Sequence, residues 1–184
     1  MPRKVDHTER RTLIADALTR LAATQGLEAV SLRHVAAEAG VSAGMVQHYF
    51  RTKDEMMAFA LEVVRDRNQA RVAAAVATLG DDPPPRLLLR AMITAVLPLD
   101  DASRDVGRVA LAFLAYTAVR PGLRAETAQL LEYFAEVLPG GATAATGLLA
   151  LMEGLGIYLL GGQFTAEQAI EALDAQLDVL FSVR

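Results

Sequence analysis

Residues 39–50 read AGVSAGMVQHYF. Gly40-Val41-Ser42 interrupts two short runs that each have helical spacing. Upstream, Ser31 can cap LRHVAAEA, whose inner face would be Leu32, Val35, Ala36 and Ala39. Gly40 ends that run because it tolerates positive φ. Downstream, Ser42 can cap AGMVQHYF. Two short helices joined by a tight turn form a helix-turn-helix. That geometry projects the N-terminal residues of the second helix into a DNA major groove, which is about 12 Å wide and admits one helix.

The residue types suit such docking. Val41 plugs the crevice between the two helices. Ala43 and Gly44 are small enough for close backbone approach, and the amides at the start of this helix can face a phosphate. Gln47 can pair bidentately with adenine or bond other base edges. His48 and Tyr49 offer donors at phosphate distance. Two other readings stand beside these: Tyr49 as a half-buried packing residue and His48 as a solvated surface residue. Phe50 belongs to the core, and Lys53 opens the next helix, where its charge can meet a phosphate.

Helical periodicity runs nearly throughout the chain and no β-period stands out. The first helix is expected over 8–24, with Leu13, Ile14, Ala17, Leu18, Leu21 and Ala22 on one stripe and Gly26 as its stop. TKDE at 52–55 has capping-box form and opens a long helix that ends near Leu79. GDDPPP at 80–85 breaks the pattern, because three prolines cannot continue a helix. Further helices are expected at 86–97, 103–119, 122–138, 144–160 and 166–182, the last opened by a Thr165–Gln168 capping box. The fold class is therefore all-α, with about nine helices. The expected division is a helix-turn-helix domain at 1–52 and a helical ligand-binding and dimerisation domain at 53–184. The helix at 53–79 is expected to be the only long rigid connection between them.

Composition narrows the function. The 184 residues include no cysteine, which excludes disulfides and thiolate metal sites and fits a reducing cytoplasm. MPRKVDHTERR at the N-terminus lacks an apolar segment and does not read as a secretory signal. Net charge is -4, yet residues 1–52 carry seven basic against five acidic side chains, leaving the rest at -6. A basic head on an acidic body fits a protein that touches phosphate with one end. Residues 142–162 are apolar on every side except for Glu153. A carboxylate at mid-bilayer costs about 2.5–3.5 kcal/mol, and flanking basic anchors are absent, so this stretch reads as a core or interface helix, not a membrane span.

LRHVAAEAGVSAGMVQHYFRTKDEM, residues 32–56, resembles the DNA-binding signature of the tetracycline-repressor (TetR) family of transcriptional regulators. The resemblance covers about residues 8–65. The family often has Tyr where this chain has Gln47. It implies DNA-facing positions at Ser42, Gly44, Met45, Gln47, His48, Tyr49 and Lys53, groove-edge or phosphate contacts at Ser31 and Arg33, and an N-terminal arm at Arg3 and Lys4. It also implies a ligand-responsive, usually repressing regulator on a palindromic operator in double-stranded DNA, dimerised through the last two helices.

The residues of the body supply candidates of their own. Leu148, Met152, Leu155 and Leu159 form one apolar seam and Leu151 with Tyr158 a second. The final helix adds Ile170, Leu173, Leu177, Leu180 and Phe181, and two such helices per subunit would make a four-helix interface. A small apolar or amphipathic effector is expected among helices 86–138, with Met92, Phe113, Tyr116 and Phe134 as walls and Arg108, Thr117 and Glu153 as polar anchors. No cofactor or metal site is expected. The three histidines, His7, His34 and His48, all lie in the N-terminal quarter, which excludes a histidine-dependent triad in the body. A ligand-independent architectural DNA binder and a carboxylate-based enzyme are the alternatives.

Overall fold

The computed structural model describes residues 3–27, 30–118 and 125–182, without the side chains of 3–6, 117 and 125–128. Among the described residues there are nine helices: α1 (Arg3–Gln25), α2 (Leu32–Glu38), α3 (Ala43–Tyr49), α4 (Lys53–Ala77), α5 (Pro85–Val96), α6 (Asp101–Ala118), α7 (Ala125–Val137), α8 (Gly141–Leu160) and α9 (Ala166–Ser182). The all-α expectation holds. α1 begins earlier than residue 8, so the backbone at Arg3 and Lys4 is helical and not an extended arm. The side chains of that proposed arm lie outside the described residues.

The chain forms two compact units. The first contains residues 1–67 and 108–116, the second 68–107 and 117–184. The division thus falls inside α4 and not at residue 52. The reason is burial: Met56, Met57, Ala60 and Val64, on the first half of α4, belong to the N-terminal core. α6 is shared in the same way, through Val109 and Phe113. α4 is therefore not the only long helix that contributes to both units.

In the N-terminal unit, α1 buries Ile14, Ala17, Leu18, Leu21 and Ala22 as its spacing requires, while Leu13 turns outward. The guanidinium of Arg11 lies over the rings of Phe59 and Phe50, 4.2 and 4.9 Å from their centroids. Arg67 meets Asp16 at 2.7 Å and joins α4 to α1. Arg20 meets Glu38 at 2.7 Å and joins α1 to α2.

In the C-terminal unit, Pro85 occupies the first turn of α5, where its missing N–H costs nothing. α5 buries Leu89 and Ile93 beside Phe134 of α7, Leu148, Leu155 and Leu159 of α8, and Leu173 and Leu177 of α9. The second capping box forms reciprocally: Gln168 N donates to Thr165 Oγ1 at 3.2 Å and Thr165 N donates to Gln168 Oε1 at 2.9 Å. Arg90 clamps Asp174 bidentately, at 2.6 and 3.0 Å, and Arg86 reaches Asp178 at 2.7 Å. The hydrogen bond from Arg90 holds the Asp174 carboxyl below its ordinary pKa. A depressed carboxylate contributes stability above its unfolded-state pKa and loses it as pH falls through the folded-state value. Asp174→Asn is therefore expected to lower unfolding stability near neutrality by about 0.5–1 kcal/mol, since solvent reaches both partners. In denaturant titrations, the gap to wild type should close on acidification through the carboxylate range.

Candidate nucleic-acid interface

α3 has seven residues, too few to be stable alone, so its orientation must come from packing. Val46 and the following Phe50 are both fully buried in the N-terminal core. The opposite side is left open: Ser42, Ala43, Gly44, Met45, Gln47 and His48 are exposed. Val41 is half-buried against the same core, in the crevice position expected of it.

The turn before α3 is closed by its own backbone. Gly40 N donates to Ala37 O at 3.2 Å and Val41 N to Ala36 O at 3.0 Å, with Gly40 at φ 67°. This is a Schellman stop, and it requires the left-handed conformation at Gly40. Ser42 Oγ then accepts from Met45 N at 3.1 Å, and Ser31 Oγ caps α2 by accepting from His34 N at 3.2 Å. An added Cβ at Gly44 would meet only Ser42 Oγ, at 3.9 Å, so that surface is free for close approach.

The remaining expected contacts are placed as follows. Arg33 is exposed on the first turn of α2, and Ser31 is half-buried. Tyr49 is half-buried against the core, and its ring meets both His48, at 5.2 Å, and His7 of α1, at 4.8 Å, edge to face. No local spacing in the sequence links His7 to Tyr49; the packing of α1 brings them together. Lys53 is half-buried, and its ammonium donates to Leu27 O at 3.4 Å. Glu55 completes half of its capping box, with Glu55 N donating to Thr52 Oγ1 at 3.0 Å. Its carboxylate accepts from Arg51 N at 2.9 Å instead of from Thr52.

The expected effector residues do not form one set within either unit. Phe113 is buried in the N-terminal core and Tyr116 packs against it, while Arg108 is exposed in the same unit. Phe134 is fully buried in the C-terminal core, with Met92 packed against it. Glu153 is an exposed residue of α8, yet burial of its carboxyl pushes its pKa up. The side chain of Thr117 lies outside the described residues.

The expected dimer seam also needs correction. Leu148, Leu155, Leu159, Leu173 and Leu177 are buried inside the chain's own core, and Met152 and Leu180 pack against it. α5, α7 and α9 contribute to the same core as α8 and use that side for intramolecular packing. Among the described residues, no group of three or more His, Asp or Glu side chains is arranged to hold a metal.

Residues 14–59 match the family described as bacterial regulatory proteins, tetR family, and residues 85–182 match the BetI-type transcriptional repressor C-terminal domain. The chain belongs to the TetR family. It is a DNA-binding transcriptional repressor with a BetI-type C-terminal half, and TetR-family regulators are soluble cytoplasmic proteins and not enzymes. The chain is 31% identical to the HTH-type transcriptional regulator BetI of Burkholderia thailandensis, over the full length of both. It is also 31% identical to PksA of Bacillus subtilis, over 87% of this chain and 83% of that one. A transcriptional regulator from Rhodococcus sp. Rha1 superposes with a TM-score of 0.84 at 34% identity, covering 94% of this chain and 96% of that one.

The turn that orients the recognition helix of this TetR-family repressor should be sensitive to one Cβ. Gly40→Ala meets no steric obstacle, since nothing lies within 4 Å of an added Cβ. The left-handed backbone alone is expected to cost about 1–2 kcal/mol. Urea unfolding of Gly40→Ala beside a Gly44→Ala control, which keeps an ordinary helical φ, measures that cost.

Proposed function

We propose that this repressor acts as a homodimer that reads a palindromic operator with one α3 per subunit and leaves it when a small effector binds the C-terminal half. The observation that carries the reading is α3 itself, with one side fully buried and its polar side free. In this reading Gln47 reads a base edge, while His48, Tyr49, Arg33 and Lys53 meet phosphates. Lys53 has an alternative acceptor in the free protein, the Leu27 carbonyl, and exchanges it for phosphate on DNA. The test is a selection of bound duplexes by wild type and Gln47→Ala. The substitution is expected to relax preference at one base pair per half-site, by about 1–3 kcal/mol. An unchanged preferred site would remove Gln47 from the readers.

The second copy is assigned to the outer side of α8 and α9. α8 is apolar apart from Glu153, but only 28% of its most apolar 18 residues is buried inside the chain. Thr146, Ala150, Gly154, Ile157 and Tyr158 lie away from the buried leucines, and added Cβ atoms at Gly147 and Gly154 would meet open space. On α9, Val179 is 60% exposed and shares its side with Ala172 and Ala175. Small residues on both helices allow two copies to approach closely as a four-helix bundle. Ile157→Glu would place a second carboxylate one turn from Glu153 in that face without disturbing the chain's own core. Sedimentation should show a folded monomer with weakened operator binding; a persistent dimer would move the interface elsewhere.

The effector is read as a small amphipathic molecule. EbrR, a multidrug binding protein with a TM-score of 0.70 and 29% identity to this chain, was solved with malachite green. That likeness supports a broad, partly apolar site. Effector and operator must weaken each other by the same factor, about 5–150-fold for a typical coupling. Calorimetry with malachite green, in the presence and absence of operator, provides the first measurement.

A further inference from the structure

Three sets of side-chain bonds converge on the first turn of α4. Lys53 Nζ donates to the Leu27 carbonyl, and Thr52 and Glu55 close the cap described above. The third arrives from far along the chain: Tyr116 Oη, on α6, donates to Asp54 Oδ1 at 2.5 Å. Asp54 is adjacent to Lys53, and only residues 50–52 separate α3 from α4. Phe50, in that short link, is fully buried. α3 therefore has little freedom to move unless the first turn of α4 moves with it.

We infer that Tyr116 is a positioning residue for operator recognition. By holding Asp54 it fixes the first turn of α4, and through the three-residue link it fixes the angle at which α3 presents Gln47 and His48. Its own place is set by α6, which buries Val109 and Phe113 in the N-terminal core. Residues 101–107 of the same helix belong to the C-terminal unit. The tyrosine has two separable parts. The ring packs against the core and contributes to stability, whereas the hydroxyl touches Asp54 and contributes to presentation.

The test uses full-length Tyr116→Phe, Asp54→Ala, Asp54→Asn and the Tyr116→Phe/Asp54→Ala double variant. Affinity is measured by fluorescence anisotropy, at one salt concentration, for a duplex selected by the wild type from a random pool and for an unrelated duplex. The readout is the ratio of the two affinities, because a changed charge near DNA shifts both alike and cancels. Tyr116→Phe and Asp54→Ala are each expected to lower the ratio on the order of fivefold, and the double variant no further. Asp54→Asn keeps an oxygen that accepts from the tyrosine and is expected to restore the wild-type ratio. A lowered thermal midpoint with an unchanged ratio in Tyr116→Phe would reduce the residue to a packing role and overturn the assignment, as would additive losses in the double variant. Should Tyr116→Phe fail to fold, the comparison of Asp54→Ala with Asp54→Asn decides alone: equal ratios overturn it.

Discussion

The burial of Val46 and Phe50 is the constraint on which the candidate DNA-reading surface rests. A seven-residue helix cannot hold itself, and its orientation is whatever its buried side chains permit. Both residues are fully withdrawn from water in the core that α1, α2, α4 and α6 build around them. Burying two such side chains contributes about 1.5–3 kcal/mol each. The exposed side of α3 is then free to carry polar residues that serve a partner and not the fold. Arg11 reinforces the arrangement by covering the Phe50 and Phe59 rings with a cation whose aliphatic stem is itself partly shielded.

Around that anchor, the junction of α3 and α4 is over-determined. The Schellman stop at Gly40, the cap at Ser42 and the cap at Thr52 fix the backbone on both sides of α3. Asp54 ties the same junction to residue 116. Each bond is modest by itself, near 1 kcal/mol. Together they leave few alternative poses, which is what a surface that must match DNA geometry requires. Because α4 and α6 each contribute residues to both compact units, this junction is built from helices that the C-terminal half also uses.

The C-terminal half follows a different logic. Its core is almost wholly aliphatic, and the ion pairs of Arg86 and Arg90 with Asp174 and Asp178 lie at its edge, joining α5 to α9. α8 supplies the core with Leu148, Leu155 and Leu159 and still has apolar and small residues on its outer side. A helix of this kind is in excess of what its own subunit can cover, and the surplus is what a second copy would take up.

Much of the N-terminal unit was legible in the residues because its signals are local. A cap links residues three apart, a helical stop needs one glycine, and an amphipathic stripe repeats every three or four positions. These interactions form between neighbours whatever the rest of the chain does, and they specify the helix-turn-helix, the caps at Ser31, Ser42 and Thr52, the Thr165–Gln168 capping box and the nine-helix layout. The candidate surface of Ser42, Gly44, Met45, Gln47 and His48 was legible for the same reason: once Val46 and Phe50 face inward, helical geometry turns the others outward. The rest depends on contacts between distant residues. Periodicity cannot tell which side of an all-apolar helix faces its own core, so Leu148, Leu155 and Leu159 went to the interior while Ile157 and Tyr158 stayed outside. Nor can it bring His7 to Tyr49 or Tyr116 to Asp54, because these pairings are selected by the packing of α1 and α6 against the core and leave no trace in local spacing.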